Sequence, residues 1–359
     1  MPPRRPTAPS RRDVIKAAAG LVGVCGSAAF AGPRPRQVPA PEDPADGPRS
    51  LVLAADQASE RVLLLNADNP AWQHVSPMVH PMQAAATASW SWSPLDHPEL
   101  SGLDPKHTWY SVSEAKYRLW AGEPWVLSCA SGGLAAMVSY PDGRVQWAGR
   151  TGANAHSVEV LPEGNVAVAA STEGFVRIYT ASQSPLSTRF TQFDLAGAHG
   201  LQWDRTRSLL WAVGDTVLLA LDVGGTANAP VMKVRKTVVL PTSGGHDLSL
   251  VAAAPDRMWV TTDSHVYQYS VPDNAFVPYA GQLGIDEAGV KSVGDDPVSG
   301  QVLTVTPDSE NPCQWCTSTL SFHLPDRRTS IAKTSLYKAR WMPGLPTPVA
   351  PPHAPHTHG

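Results

Sequence analysis

Six basic side chains recur along the sequence at similar intervals and belong to two chemical types, imidazole and ammonium. In chain order they are Lys116, His156, His199, His246, Lys291 and Lys338. The intervals are roughly 40 to 47 residues, the length of one four-stranded blade of a β-propeller. Imidazole binds metals and transfers protons near neutral pH, whereas ammonium binds carboxylate, sulfate or phosphate. If the six positions are equivalent in the fold, they converge on one site.

The three histidines are candidate catalytic and metal-binding residues. The predicted ligands are His156, His199 and His246. Three imidazoles that leave one coordination position open suit a divalent ion such as Zn²⁺ or Mn²⁺, and Ca²⁺ is a further candidate. The alternative is structural, because a histidine beside Gly or Ala often satisfies a backbone carbonyl of its neighbour.

The lysines predict an anion site at the same mouth of the channel. Lys116, Lys291 and Lys338 are its candidate ligands, and Arg118 and Arg340 share the strand face of their neighbouring lysines. Clustered cations repel one another unless an anion lies among them. Acidic residues expected near the ring are Glu114, Asp56, Glu173, Asp215, Asp263 and Asp308. The predicted partner is an anionic small molecule or an acidic glycan.

Aromatic residues in the long segment before the first full repeat are candidates for stacking on sugar rings. Trp109 and Tyr110 are the predicted ligand-binding pair, and Trp72 is a further candidate, with His97 and His107 nearby. The alternative is that these tryptophans pack between blades or against the inserted segment.

These features support two classes of function. One is a carbohydrate-active enzyme, a metal-assisted lyase or hydrolase that acts on acidic glycans. Eliminating a uronic acid requires neutralising its carboxylate, removing the adjacent proton and protonating the leaving oxygen, and Lys, His and Tyr can do this work. The other is a non-catalytic module that binds a ligand or a protein and needs only complementary charge.

The elements that would position these residues are repeated four-stranded units. One copy reads NAHSVEVLPEGNVAVAASTEGFVRIYTAS, and later copies begin with GAHGLQWD, GGHDLSLV and GVKSVGDD. Each copy contains short β-rich runs separated by turns with Pro, Asp or Gly. The pattern predicts an all-β propeller over residues 51–342.

The last copy, YKARWM, contains only its first strand, and LVLAADQ, RVLLLN and ATASWSW near the start supply three more. Pairing the C-terminal innermost strand with the N-terminal strands leaves no free edge. The sequence therefore predicts six blades, and the alternative is a seventh blade within residues 66–112.

The motifs AADQASERVLLL, SEAKY, NAHSVEVLPEGNVAVAAST, GAHGLQWD, GGHDL and VKSV resemble those of a family of exported bacterial β-propellers, domain-of-unknown-function family 6528. The resemblance covers residues 51–342. It implies a propeller fold and no particular reaction, so the function must be argued from the site.

The N-terminal segment resembles an export signal of the twin-arginine type. SRRDVIK is followed by an apolar run that ends in Ala29-Phe30-Ala31, which predicts cleavage near Ala31 and a secreted protein. Lipidation at Cys25 is an open alternative, although Val24 is large for such a signal. Residues 32–49 are a predicted Pro-rich linker, and residues 343–359 are a predicted disordered Pro/His tail.

The amino-acid composition excludes several kinds of protein. The chain is 42% hydrophobic and 16% charged, with 35 Pro, 28 Gly and 12 Trp, and its formal net charge is −3. This excludes a disordered chain and a coiled coil, and it gives no electrostatic attraction to nucleic acid. We expect no stable membrane insertion and a monomer.

Cys313 and Cys316, in the motif CQWC, predict a local disulfide that staples a loop. A redox or zinc role is the alternative, but no second cysteine pair accompanies them. Cys129 ends a predicted strand, where we expect a buried free thiol.

Overall fold

The computed structural model describes residues 51–68, 88–277 and 284–343. The predicted signal segment, the linker, Cys25, Trp72 and the tail after Pro343 lie outside these residues. Short apolar runs interrupted by turn residues favour strands over helices. In the part of the chain that is described, the strands form six four-stranded antiparallel sheets, which are the blades.

The first strands are β1 (Leu51–Asp56), β2 (Arg61–Asn66) and β3 (Trp90–Trp92). Blade 1 consists of β4 (Val112–Trp120), β5 (Glu123–Ala130), β6 (Leu134–Ser139) and β7 (Val145–Arg150). Blade 2 consists of β8 (Ala155–Val160), β9 (Val166–Ala170), β10 (Phe175–Tyr179) and β11 (Phe190–Asp194). Blade 3 consists of β12 (Gly200–Asp204), β13 (Leu209–Val213), β14 (Val217–Thr226) and β15 (Ala229–Val239).

Blade 4 consists of β16 (Asp247–Val251), β17 (Ala254–Thr261), β18 (Val266–Ser270) and β19 (Ala275–Val277). Blade 5 consists of β20 (Ser292–Asp295), β21 (Val302–Val305), β22 (Thr319–His323) and β23 (Arg327–Ser330). The last strand is β24 (Leu336–Met342). Short helical turns lie at Pro94–Asp96, Pro98–Leu103, Pro105–Thr108 and Ala181–Gln183. None of the helices in the described residues has the length and apolar character needed to cross a bilayer.

The sixth blade joins the two ends of the described chain. Its strand order is β24-β1-β2-β3, and Leu53 of β1 lies opposite Arg340 of β24. The innermost strands contact one another in the order β4, β8, β12, β16, β20, β24 and back to β4, so the ring is closed. This confirms six blades and the predicted mode of closure, and the seven-blade alternative is wrong.

Burial decreases from the channel to the outer surface of each blade. The inner strand β8 and its neighbour β9 are buried along their whole length, whereas β11 alternates between half-buried and exposed residues. Inner strands have a neighbouring blade on each face, and this explains their continuous apolar runs. Polar residues are therefore unusual on these inner strands, and those that occur there surround the channel.

Because β1 and β24 close the ring, we expect side chains of β1 to belong to the buried core. Leu53 is fully buried and packs in a cluster that includes Leu64, Tyr117 and Met342. We expect Leu53→Ala to lower the free energy of unfolding by about 2–5 kcal/mol, because it leaves a cavity. Urea unfolding measures this, with Leu186→Ala, at a side chain that is 49% exposed, as the control. Equal effects of the two substitutions would contradict the closure.

Candidate functional site

The ring leaves a separate cavity at each mouth of the channel. One cavity, of about 670 Å³, is lined by the starts of inner strands and includes His156, His199, His246 and Lys291. We call this end the His mouth. The other cavity, of about 850 Å³, is lined by strand ends, among them Glu159 and Arg340, and we call it the opposite mouth.

Strand register shows which residues share one level at the His mouth. Ser113 and Tyr337 lie in β-bulges, because their neighbours pair with consecutive residues of the adjacent strand. His156 occupies the same kind of bulge in β8. The residues at this level are Ser113, His156, His199, His246, Lys291 and Tyr337. Ser113 and Tyr337 therefore occupy the positions at which the repeat spacing had predicted Lys116 and Lys338.

The three histidine rings stack in chain order around the channel. Their ring centroids are 4.2 Å apart for His156 and His199, and 4.1 Å apart for His199 and His246. The ring of Tyr337 lies 5.5 Å from that of His156, and its hydroxyl is 3.0 Å from His156 Nδ1. The structure thus brings together all three predicted histidines and adds a tyrosine that sequence reasoning missed.

All three imidazoles are held in the neutral state. Burial, Lys338 and Lys291 lower the pKa of His156 to about 3. Burial also lowers the pKa of His199 and of His246 well below the usual range, assisted by His246 and His156 for the former and by Lys291 and Lys338 for the latter. At neutral pH each ring has one N–H donor and one nitrogen acceptor.

Hydrogen bonds assign which nitrogen is protonated in His156 and in His199. Burial raises the pKa of Tyr337, with further contributions from Asp247 and Glu114, so its hydroxyl donates to His156 Nδ1. His199 Nε2 is buried and has no hydrogen-bond partner among the described residues. Because His199 also bonds to the backbone at Gly197, that contact uses Nδ1, and Nε2 is the free acceptor.

Lys291 lies beside the stack. Its Nζ is 2.5 Å from His246 Nε2. Burial lowers the pKa of Lys291, with Asp263 opposing this shift and Lys338 adding to it. The site therefore combines neutral imidazoles with one ammonium group at the edge of the cavity.

Beneath this level, a buried layer of charges fills the channel. Arg340 donates to Glu114 Oε1 at 3.0 Å and to Asp247 Oδ2 at 3.0 Å. Lys338 Nζ is 3.3 Å from Asp247 Oδ1, and Lys116 Nζ is 3.3 Å from Glu114 Oε2. Lys116 and Lys338 thus lie in the layer and do not line the cavity of the His mouth.

The charges in this layer depend on one another. Burial opposes ionisation of Glu114, but Arg340, Lys116 and Lys338 together hold its pKa below the usual range. Burial lowers the pKa of Lys116 to about 8, although Glu114 and Glu159 oppose the shift. The carboxylates are ionised because the cations surround them.

At the opposite mouth, Arg118 and Glu159 form an ion pair. Arg118 contacts both carboxylate oxygens of Glu159, at 2.8 and 2.6 Å, and donates to Gln202 at 3.2 Å. Asp295 accepts hydrogen bonds from the backbone of Ala252 and Ala253. Arg118 and Arg340 line this cavity, so the structure places both predicted arginines away from the histidines.

The two predicted aromatic residues lie in different environments. Trp109 is fully buried, packs edge-on against Trp92 and donates its indole N–H to the carbonyl of Glu60. Tyr110 is 51% exposed and lines the His mouth. Trp109 therefore packs in the core, as the alternative had it.

A second exposed aromatic residue at the His mouth comes from the cysteine loop. Cys313 and Cys316 form a disulfide, and Trp315 between them lines the cavity. The indole N–H of Trp315 donates to Gln57 Oε1 at 3.0 Å. The motif CQWC contained this aromatic residue, but only the fold shows that the loop reaches the mouth.

Two further predicted acids, Glu173 and Asp56, and the thiol of Cys129 have separate roles. Glu173 lines the His mouth and accepts a hydrogen bond from the backbone of Asn154 at 2.8 Å. Asp56 accepts from the backbone of Ser335 in the closing blade. Cys129 is free and buried, and burial raises its pKa to about 12, which makes it an unreactive thiol.

Within the described residues, no group of three or more His, Cys, Asp or Glu side chains is arranged to hold a metal ion. A divalent ion at His156, His199 and His246 stays a prediction from the sequence.

The buried charge layer predicts unequal effects of two arginine substitutions. Arg340→Met leaves Glu114 and Asp247 buried with fewer partners, and we expect a loss of about 3–5 kcal/mol in the free energy of unfolding. Arg235→Met breaks a pair with Asp222 whose side chains are 65% and 36% exposed, and we expect a much smaller loss because solvent screens this pair. Urea unfolding of both variants measures the difference, and similar losses would contradict the layer's role.

The neutral imidazoles predict a loss of stability in acid. Below pH 6.5, each of these three histidines binds a proton in the unfolded chain but not in the folded protein. The free energy of unfolding therefore falls as the pH decreases, by up to about 1.4 kcal/mol per pH unit for each imidazole. His156, with a pKa of about 3, contributes over the whole window from 6.5 to about 3.

Urea unfolding at pH 6.5 and 5.5 measures this dependence. We expect His156→Asn to reduce the pH-induced loss by about 1 kcal/mol relative to the unsubstituted protein, because the unfolded imidazole is already half protonated at pH 6.5. His107→Asn, at a side chain that is 79% exposed, is the surface control. An unchanged pH dependence in His156→Asn would show that this ring is not buried in its neutral form.

Comparison with known proteins gives a family match and distant structural similarity. A protein from Bacteroides caccae of unknown function has 12% identity and a TM-score of 0.45, with 76% of this chain and 89% of that chain covered. Virginiamycin B lyase from Staphylococcus aureus has 7% identity and a TM-score of 0.40, with coverage of 62% and 70%. The dihydro-heme d1 dehydrogenase NirN in complex with DHE has 12% identity and a TM-score of 0.42, with coverage of 78% and 52%.

No curated protein sequence matches the chain. The family model matches residues 65–347, which include most of the described propeller. The chain therefore belongs to the family of unknown function DUF6528.

Proposed function

We propose that the His mouth binds the carboxylate group of an acidic saccharide. The observation that carries this proposal is the balance of charge along the channel. In the buried charged layer, two carboxylates face three cations, and Lys291 adds a fourth cation at the His mouth. These groups are Glu114, Asp247, Lys116, Lys338, Arg340 and Lys291.

Lys291 and the neutral rings supply the donors for such an anion. Lys291 forms no ion pair with a carboxylate in the described part of the chain, so its ammonium group is available to a ligand. Since Tyr337 donates to Nδ1 of His156, the N–H of that ring is at Nε2. A carboxylate accepts from both kinds of donor, and the charge of Lys291 strengthens the contact.

The rim of the cavity supports a saccharide over a simple inorganic anion. Tyr110 and Trp315 are both about half exposed there, and aromatic faces of this kind pack against the apolar faces of sugar rings. Glu173 and Asn154 also line the cavity, and they supply partners for hydroxyl groups. The rim thus has partners for a sugar ring, and the anion donors lie among the histidines.

Elimination is a second candidate function, favoured by the free acceptor of His199. A lyase needs a base to remove the proton adjacent to the carboxylate, and His199 Nε2 is a neutral nitrogen without a partner in the described residues. The electron pair of that C–H bond forms the new double bond, and the bond to the leaving sugar oxygen breaks with protonation of that oxygen. Ultraviolet absorbance of unsaturated ends, measured with pectate and alginate, tests this function.

Calorimetric titration tests the binding proposal directly. We expect oligogalacturonate to bind at least tenfold more tightly than the neutral galactose oligosaccharide of equal length. Lys291→Met should weaken oligogalacturonate binding about tenfold or more, because a charge-assisted hydrogen bond is lost. Lys233→Met, at an exposed lysine on β15, is the matched control and should leave affinity unchanged.

Two results would contradict the proposal. Equal affinity for the acidic and the neutral oligosaccharide would remove the anion site. Undiminished affinity in Lys291→Met would separate binding from the His mouth. Repeating the titration with Zn²⁺, Mn²⁺ or Ca²⁺ alone tests the metal prediction independently.

A further inference from the structure

The cavity of the opposite mouth, of about 850 Å³, is lined by tryptophans from three different blades. They are Trp120 of β4, Trp203 of β12 and Trp341 of β24. Trp120 and Trp341 are half-buried, and Trp203 is 9% exposed. Concave sites of this size with aromatic walls and a few polar groups are typical of ligand-binding sites. The opposite mouth is therefore a candidate binding site, and it shares no lining residue with the His mouth.

The charged side chains that line this cavity have partners within the protein. They are Lys116, Arg118, Glu159, Asp204, Arg205, Asp295 and Arg340. Arg205 donates to the carbonyl of Leu119, and Asp295 accepts from the backbone. The other five form ion pairs with groups in the described residues. An uncharged, apolar occupant leaves these contacts intact, whereas a charged occupant has to compete with them.

The chain itself leaves β24 at this cavity. Pro343 follows β24 directly, is exposed and lines the cavity. The next nine residues, GLPTPVAPP, include four prolines and no charged side chain. A polyproline II helix has three residues per turn, so positions three apart lie on one face. Counted from Pro343, that face consists of Pro346, Val349 and Pro352, which are all apolar.

We propose that residues 344–352 bind in the opposite mouth of their own chain as a polyproline II helix that packs on Trp120, Trp203 and Trp341. Aromatic-lined grooves bind Pro-rich segments in this way, because the extended chain loses little conformational entropy on binding. The segment follows Pro343 without a linker, so its effective concentration at the cavity is about 1 mM or higher. The composition predicts disorder for residues 343–359, and the proposal departs from that prediction for residues 344–352.

Competition with a labelled peptide of the sequence GLPTPVAPP tests the proposal in the full-length protein. In the unsubstituted protein the peptide has to displace the attached segment, so we expect weak binding. Val349→Lys puts a charge on the face that contacts the tryptophans, and we expect it to free the cavity and strengthen peptide binding at least tenfold. Thr347→Lys adds the same charge on another face and should leave peptide binding weak. Fluorescence anisotropy measures the affinity of each protein.

Glycine substitutions test the location of the binding site. Gly294 of β20 lines the cavity, and a Cβ atom there would meet only Ser249 Oγ, at 3.9 Å, apart from its chain neighbours. In the Val349→Lys protein, Gly294→Leu should therefore fill the space and weaken peptide binding at least tenfold. Gly224→Leu is the matched control, because Gly224 is exposed on β14 and a Cβ atom there meets nothing within 4 Å. Melting temperatures establish that each variant retains its fold.

Other outcomes overturn the proposal. Equal peptide binding by the unsubstituted protein and by Val349→Lys means that the mouth is free for a Pro-rich segment of another protein. A dimer of the unsubstituted protein that Val349→Lys dissociates, measured by analytical ultracentrifugation, assigns the segment to the mouth of a second copy. Absence of peptide binding to Val349→Lys, or binding that Gly294→Leu leaves unchanged, removes the opposite mouth as the site. Oligogalacturonate binding at the His mouth does not depend on these results, so the two proposals fail separately.

Discussion

The contact on which the channel depends is the pairing of Arg340 with Glu114 and Asp247. Arg340 belongs to the last strand, Glu114 to blade 1 and Asp247 to blade 4, so one guanidinium connects three blades through charge. Burying these ions is costly unless each has its partners, and Lys338 and Arg340 reach Glu114 and Asp247 only when β24 completes the ring. Closure of the ring therefore completes the charged layer.

The layer also gives the two mouths different chemistry. At the opposite mouth, the guanidinium of Arg118 is occupied by Glu159 and Gln202. At the His mouth, burial lowers the pKa of His156 and His246, and the charges of Lys338 and Lys291 lower it further, which keeps these rings neutral. Among the described residues, His199 Nε2 is a buried acceptor without a partner at that mouth.

The blade count, the mode of closure and the convergence of three histidines could be predicted from the sequence, because repeats of similar length with short β-rich runs indicate a propeller. The level of Lys116 and Lys338 could not be predicted. Lys116 comes three residues after Ser113 and Lys338 one residue after Tyr337, so matching lysine to lysine selected residues that lie deeper in the channel. The burial of individual side chains could also not be predicted from the repeat pattern, since Trp109 is buried while its neighbour Tyr110 is exposed.

The lysine charges near the histidines also bear on the kind of ligand proposed for the His mouth. Lys338 lies beneath the histidine stack, with Nζ 3.2 Å from the carbonyl oxygen of His156, and Lys291 lies at its edge. Burial is the main reason that the imidazoles are neutral, and the lysines add to it because protonating a ring would place positive charge beside them. A divalent cation on the stack would meet the same repulsion from the lysines, whereas the carboxylate of the proposed ligand would relieve it. The lysine charges are therefore consistent with the proposed anion at the His mouth.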